Sequence, residues 1–481
     1  MKKLLIFLAV VLVVLLSAFL ALLANVNRAK PLLEQRLSTA LGHPVKLGIL
    51  KLGWNGGPVF GSESFSVWPG TTESGAPALQ LKNIKIFVKN PSWSQPMDFE
   101  GSAGFLSRHP NLKFKGRVVL KSDAGPGVLE RLHTELDLGQ LDLRQVRTAA
   151  SDTLKDLDLA RPLRGRMTAD VGQVALDAEG LSHAQAVLSL EGGQVALEKL
   201  KNPIHDIALA ASLTTREVHL DSLTAFLAGG KLTAQAMAEN LGASPSARLE
   251  FSAEDLSLEE FALGANPDKP QLKARLFGLF RGTSGGTSWA QLSQNLSGSG
   301  RLILKDPVVT RINFLREILS QLSRLPKMAE TLQNNLPPYY QSKLAEPFTA
   351  LQPMNLPFEV KGGAFYFNDL KVGTTEFLLT GQGRVTFNGN LSIQSWLIIN
   401  TDLSAVLASG VEEIRYFMDT LGQIQIPVRI EGSMNHIQFK PDTDYIAKKV
   451  AMNKGQELLS ELLSKNKKAG SAAKGLLGKL I

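Results

Sequence analysis

From Val45 onward the chain alternates apolar and polar residues with a period of two, in short runs bounded by Gly, Asn, Asp or Pro. Val45, Leu47 and Ile49 alternate with Lys46 and Gly48, and Leu79 and Leu81 lead into Ile84, Ile86 and Val88. Further runs are Leu112–Leu120, Gln194–Leu200, Ile207–Leu213, Val218–Leu220, Gly230–Ala238 and Ala247–Ala253. Successive side chains of a strand point to opposite faces, so this pattern describes half-buried antiparallel strands. Gly-Gly pairs at 192–193, 229–230 and 362–363 stand at strand entries. Asn388-Gly389, with alternation on both sides, predicts a hairpin with a type I′ turn. The following Trp396–Ile399 is apolar on both faces, which predicts a buried or lipid-facing strand.

Helical spacing interrupts this pattern. Asn27–Leu41 predicts a short helix with Leu32, Leu33, Leu37 and Leu41 on one side, ended by Gly42. Leu129–Leu157 has weak helical spacing. Ile312–Leu332 has a stronger apolar stripe, with a kink expected at Pro326. Prolines between 337 and 357 then predict an irregular crossover. The tail after Tyr445 places Ile446, Val450, Leu458, Leu459, Leu462 and Leu463 near helical spacing, with breaks expected at Gly455 and Gly470–Gly475.

The N-terminus sets the compartment. Leu4 to Ala24 is a run of 21 residues with Ser17 its only polar side chain, about 32 Å as a helix. That matches a hydrocarbon core of about 30 Å. A cleaved signal peptide needs a shorter apolar region and small residues at its cleavage site, and Phe19 and Leu22 stand where those would be. A retained single-pass anchor is the expectation. Lys2 and Lys3 before it favour a cytoplasmic N-terminus, a bias that Arg28, Lys30 and Arg36 after it weaken. The expected place for the bulk of the chain is beyond the cytoplasmic face, which in a Gram-negative cell is the periplasm.

The 481 residues carry a net charge of +8. Eight lysines against two glutamates lie between Tyr445 and Ile481, and Lys2 and Lys3 supply the rest. A basic excess at both ends points to membrane surfaces and away from nucleic acid. The dispersed Trp93, Trp289 and Trp396 offer no base-stacking platform. With no cysteine, disulfides, thiolate metal sites and thiol catalysis are excluded. Gly282-Thr-Ser-Gly-Gly286 matches G-x-S-x-G formally, but polar residues follow where a nucleophile elbow needs a helix. Gly229-Gly230-Lys231 lacks the upstream glycine of a phosphate loop. The seven histidines form no H-x-H or H-x-x-x-H pair, though His205-Asp206 and His219 can converge across a hairpin. Asp255, Glu259 and Glu260 read as a solvated turn. No catalytic, metal or cofactor site is expected.

Four stretches carry a family resemblance. Leu32–Val45 ends in Gly-His-Pro-Val, similar to a short helix leading into a first strand. Leu223–Ala234 looks like a strand–Gly-Gly–strand unit, and Ala253–Phe261 like its sequel. Leu296–Leu304 is matched by Ile426–Met434, which resembles a closing strand before Pro441-Asp442. In this order, over nearly the whole chain, they resemble the AsmA-like family of Gram-negative envelope proteins, AsmA/TamB-type repeating β-groove proteins. Gly75–Leu143 and Asn334–Pro357 match it less closely. The resemblance implies an inner-membrane-anchored groove that holds lipid acyl chains, or a role in outer-membrane assembly.

The expected fold is mainly β: an elongated, bent antiparallel β-sheet groove with a few interrupting helices, one transmembrane helix and a C-terminal amphipathic helix. The expected segments are a transmembrane anchor at 1–24, a juxtamembrane helix at 25–44 and an N-terminal β-groove region at 45–295. A C-terminal β region at 296–444, with a helical insertion about 312–357, precedes a basic tail at 445–481. About twenty strands at ~4.8 Å would extend on the order of 100 Å. The expected function is non-enzymatic phospholipid binding and transport supporting outer-membrane homeostasis, with an envelope partner protein. The alternative is a scaffold or regulator of outer-membrane protein assembly that carries no lipid. Leu232, Leu302, Leu391 and Ile393 are the groove candidates. Lys2, Lys3, Leu458, Leu462 and Leu463 are the membrane-contact candidates, and the tail either lies in a membrane interface or caps the groove.

Overall fold

The computed structural model describes residues 30–465 except 42, 69–76, 78, 93–94, 120–127, 150–158, 173–174, 178–179, 184, 199, 241–244, 262–270, 287, 323–335, 411 and 434–435. The expected anchor Leu4–Ala24, Lys2 and Lys3 lie outside these residues, as does the tail beyond Lys465. Among the described residues no helix is long and apolar enough to cross a membrane. The protein is mainly β: the described residues form 22 strands in one open antiparallel sheet and two more in a small one. The chain divides into two compact units, residues 1–264 with 277–297 and residues 265–276 with 298–481.

The first unit opens with helix α1 (Lys30–Leu41). Strands β1 (Val45–Leu47) and β2 (Leu50–Trp54) pair successively with β3 (Pro58–Val67). Next come β4 (Leu79–Lys89), β5 (Met97–Phe105), β6 (Leu112–Val119), β7 (Val128–Asp137) and β8 (Leu159–Val171), each beside the last. After the small sheet of β9 (Ala175–Asp177) and β10 (Gly180–His183), β11 (Gln185–Leu197) pairs with β8. The meander then runs through β12 (Ile204–Thr214), β13 (Val218–Leu227), β14 (Gly230–Glu239) and β15 (Ser246–Ser257).

Register aligns the apolar faces of successive strands. One cross-strand row reads Val88, Phe99, Gly116, Leu132, Val171, Ala186, Leu213, Val218, Ala238 and Ala247. The neighbouring row on the opposite face reads Phe87, Glu100, Lys115, His133, Asp170, Val187, Ser212, His219, Met237 and Arg248. A one-residue slip would exchange these faces, so burial of one face fixes the pairing. Leu33 and Leu37 of α1 join Phe60, Phe65, Met97, Phe99, Phe114 and Leu132 in the core of this unit. The N-terminal strands therefore use aromatics in a filled core.

After β16 (Gln271–Gly285), β17 (Ser297–Thr310) pairs with β18 (Phe348–Ala350) and β19 (Met354–Lys361). Strands β20 (Ala364–Gly373), β21 (Phe377–Thr386), β22 (Asn390–Ile399), β23 (Gln425–Ser433) and β24 (His436–Pro441) continue in order. A second core packs helices against the ends of β21–β23. It includes Leu315, Ile318, Tyr340, Phe377, Leu397, Ile399, Leu403, Leu407, Ile414 and Ile426.

Several expected elements are corrected. Leu129–Leu157 begins as β7 and turns helical only later, at the 3₁₀ turn Leu138–Gln140 and the helix Leu143–Ala149, with residues 150–157 outside the described ones. Arg131 pairs with Arg117 and Leu129 with Val118, so Glu130 is an extra residue in a bulge. That bulge puts Leu129 and Leu132 on one face and imitates helical spacing. The expected helix at Asn27–Leu41 is described from Lys30, and its Leu32 is exposed rather than aligned with buried Leu33 and Leu37. The helix expected at Ile312–Leu332 is described over Phe314–Leu322, with Asn313 Oδ1 accepting from Arg316 N–H at 2.8 Å, and residues 323–332 lie outside the described ones. Pro326 lies outside the described residues. The crossover expected between 337 and 357 contains helix Pro338–Ala345, β18 and the start of β19.

The Asn388-Gly389 hairpin has a three-residue loop. Val385 pairs with Leu391, Gly389 N–H donates to Thr386 O at 2.8 Å, and only Gly389 has positive φ. A type I′ turn needs positive φ at both central residues. Ala228-Gly229 and Gly362-Gly363 meet that condition, closing Leu227 onto Gly230 and Lys361 onto Ala364. The C-terminal helix runs unbroken from Thr443 to Lys465 through Gly455.

Candidate functional site

The apolar face of the first unit outruns its filled core. Core residues reach β12 at Leu213, with Val218 and Leu220 packed against its margin. Beyond them β13 presents Leu223, Ala225 and Leu227, and β14 presents Leu232, Ala234, Ala236 and Ala238. β15 adds Ala247, Leu249, Phe251 and Ala253 opposite these. A register shift between Leu220 and Leu223 keeps the β13 set on one face. Ala225, Leu227 and Ala253 are buried, most others are half-buried, and Phe251 is 37% exposed. Among the described residues, neither core includes Leu232, Ala234, Ala236, Ala238, Ala247 or Leu249. The lining also changes from Phe, Met and Leu over β3–β7 to mainly Ala over β14 and β15. Small side chains leave space above the sheet.

The opposite face is mainly polar, with Phe226 of β13 and Met237 of β14 its apolar members. Lys231, Thr233, Gln235 and Glu239 of β14 stand against Glu254, Ser252, Glu250 and Ser246 of β15. The hydroxyls of Thr233 and Ser252 are 2.6 Å apart.

Leu232 lies on this face, level with Ala225 and Ala253. The other three groove candidates belong to the second unit. Leu302 is level with Leu356, Leu391 with Val385, and Ile393 with Gly383 and Ile430. Leu391 is buried, whereas Leu302 and Ile393 are half-buried. Part of this second apolar face is filled by the protein's own rings, Phe358 and Phe365 at 5.5 Å and Phe365 and Phe387 at 5.2 Å. On β22, Leu397 and Ile399 are buried, while Trp396 is exposed on the other face, edge-to-face with Tyr445 at 5.7 Å.

Tyr445, Ile446 and Val450 of the C-terminal helix pack against the second core, and Tyr416 Oη donates to Glu457 at 2.6 Å. Leu458 is 61% exposed. Leu462 and Leu463 lie in the same helix with side chains outside the described ones.

The residues weighed for chemistry are placed separately. Ser284 lies within β16, and its hydroxyl donates to Leu292 O at 2.5 Å. Contrary to expectation a short helix, Trp289–Gln294, does follow, capped by Ser288, but Ser284 lies inside the strand and not at the turn an elbow needs. His205 contacts Asp206 at 2.8 Å and His219 contacts Glu217 at 3.3 Å. His205 is level with Phe226 and His219 with Ser212, so the two histidines sit at opposite ends of the hairpin. Among the described residues no group of three metal-type side chains is present. Asp255 lies within β15, two residues before its end, with positive φ, and Glu259 and Glu260 stand in the short helix after the strand, so the three do not share one turn. The sequence reading missed Glu376, a buried carboxylate whose Oε1 accepts from Tyr339 Oη and Thr375 Oγ1, both at 2.7 Å.

No family model, no curated protein and no solved structure matches this chain.

Proposed function

We propose that the protein is a non-enzymatic, inner-membrane-anchored envelope protein of the AsmA-like type, whose apolar sheet faces bind the acyl chains of membrane lipids. The observation that carries this reading is the alanine-lined, half-exposed apolar face of β13–β15, continuous with a filled core. An apolar surface left open costs free energy that a lipid tail recovers at about 0.8 kcal/mol per buried methylene. The lining is aliphatic apart from Phe251 and carries no charge, so recognition rests on shape and chain length. The apolar run Leu4–Ala24 behind Lys2 and Lys3 supports a single-pass anchor with the bulk of the chain in the periplasm. Phospholipid supply to the outer membrane follows as the role, with a partner protein to receive the cargo.

Photo-crosslinkers at Leu232, Leu302 and Ile393 are expected to capture lipid, and those at Thr233 and Gln235 are not. Ala236 stands between Leu220 and Leu249 on the open face. Ala236→Trp is expected to cut co-purified lipid several-fold in native mass spectrometry while leaving the unfolding midpoint unchanged. Equal labelling of both faces, or no lipid at all, would favour a scaffold in outer-membrane protein assembly.

A further inference from the structure

The edge strand of the first unit carries an apolar face out into solvent. Leu50, Leu52 and Trp54 share one face of β2, level with Ser62, Phe60 and Pro58. Their exposures rise from 3% to 37% to 72% toward the hairpin tip. Ile49, just before β2, and Leu32 of α1 are also exposed. An edge ending in an exposed Trp is costly in water unless something covers it.

The direction of α1 says what does. Glu34 Oε1 accepts from Leu47 N–H at 2.8 Å, and Ser38 Oγ accepts from Val45 N–H at 2.9 Å. Helix numbers rise as strand numbers fall, so α1 runs antiparallel to the edge strand. Its N-terminal end points the same way as the Trp54 tip. Lys30, four residues before Glu34, stands about 6 Å further along, level with Ile49. From Ile49 the strand reaches Trp54 in about 17 Å. The chain from Ala24 to Lys30 reaches about 22 Å at most. The end of the apolar run and the hairpin tip are thus within reach of one plane.

We infer that the Trp54 tip, with Leu52, Ile49 and Leu32 behind it, docks into the interfacial layer of the bilayer that holds Leu4–Ala24. Trp suits that layer because its ring is apolar and its N–H finds a polar partner there. The inference rests on reading Leu4–Ala24 as a retained anchor. Docking at the tip brings the apolar face of the first unit to the membrane surface.

The chain has no cysteine, so Trp54→Cys accepts a single nitroxide label, and the exposed position spares the fold. The full chain is reconstituted in vesicles of phosphatidylethanolamine and phosphatidylglycerol, with Gln235→Cys as the reference. Oxygen is expected to relax the label at 54 more than a water-soluble nickel complex does, and the order is expected to reverse at 235. Nickel access at 54 equal to that at 235, in a chain that resists carbonate extraction, overturns the docking and leaves the anchor standing. A label at 54 shielded from both reagents means a protein contact and also overturns it. Release by carbonate removes the anchor reading, and the docking with it.

Discussion

Glu376 is 4% exposed just before β21 and is held by hydroxyl groups. Burial pushes its carboxyl up, but hydrogen bonds from Thr374, Tyr339 and Thr375 together hold it below the ordinary carboxylate range. A carboxyl depressed by folding stabilises the folded state above its unfolded value, and that contribution is lost as pH falls through the folded one. The second unit is therefore expected to weaken below about pH 4. Glu376→Gln should cost about 1–3 kcal/mol at neutral pH and reduce the acid sensitivity. Urea unfolding at neutral and acid pH measures both, and an unchanged acid slope would refute the assignment. Nothing in the sequence marks Glu376, because its donors come from a helix 37 residues away as well as from its own turn. Phe99 and Phe114 were equally unmarked. Each begins a Phe-x-Gly triplet, and antiparallel register sets Phe99 over Gly116 and Phe114 over Gly101. A Cβ at either glycine would overlap the facing ring. Only the pairing reveals that the glycines are spaces for rings.

At the scale of elements, period two located most strands, and phase errors came where the backbone departs from a uniform strand. The extra residue Glu130 turned a strand into an apparent helix. Gly455 produced the reverse error, because glycine lowers helix propensity without ending a helix whose first turns are anchored by packing. Among the described residues nothing outside the adjoining turns of this helix stands within 4 Å of a Cβ built there. Gly455→Ala is expected to stabilise helix Thr443–Lys465 by about 0.5–1 kcal/mol. Slower amide hydrogen exchange in that helix checks it. Exchange no slower than in the parent chain would mean that the helix is already limited by its contacts with the second core.

For the whole molecule, topology is the decisive prediction. Outside the terminal lysines the charges nearly balance, so orientation falls to the N-terminal run and its flanking Lys2 and Lys3. A reporter active only outside the cytoplasm, fused after Ile481, is expected to be active, and the N-terminus to remain Met1. A processed N-terminus near Asn25 would replace the anchor with a cleaved signal. Such a result would also detach the Trp54 tip from any enforced neighbourhood with the bilayer.

The sequence by itself determined the class of fold and which side chains share a face, because strand geometry repeats every two residues and needs only local information. The apolar positions Leu232, Leu302, Leu391 and Ile393 were legible for that reason. Tertiary structure alone decided which apolar faces are covered. Helix α1 and four phenylalanines fill the space over β3–β6, helices fill the ends of β21–β23, and the alanines of β14 and β15 stay outside both cores. Burial depends on what arrives from far along the chain, so identical alternation ends as core in one place and open surface in another.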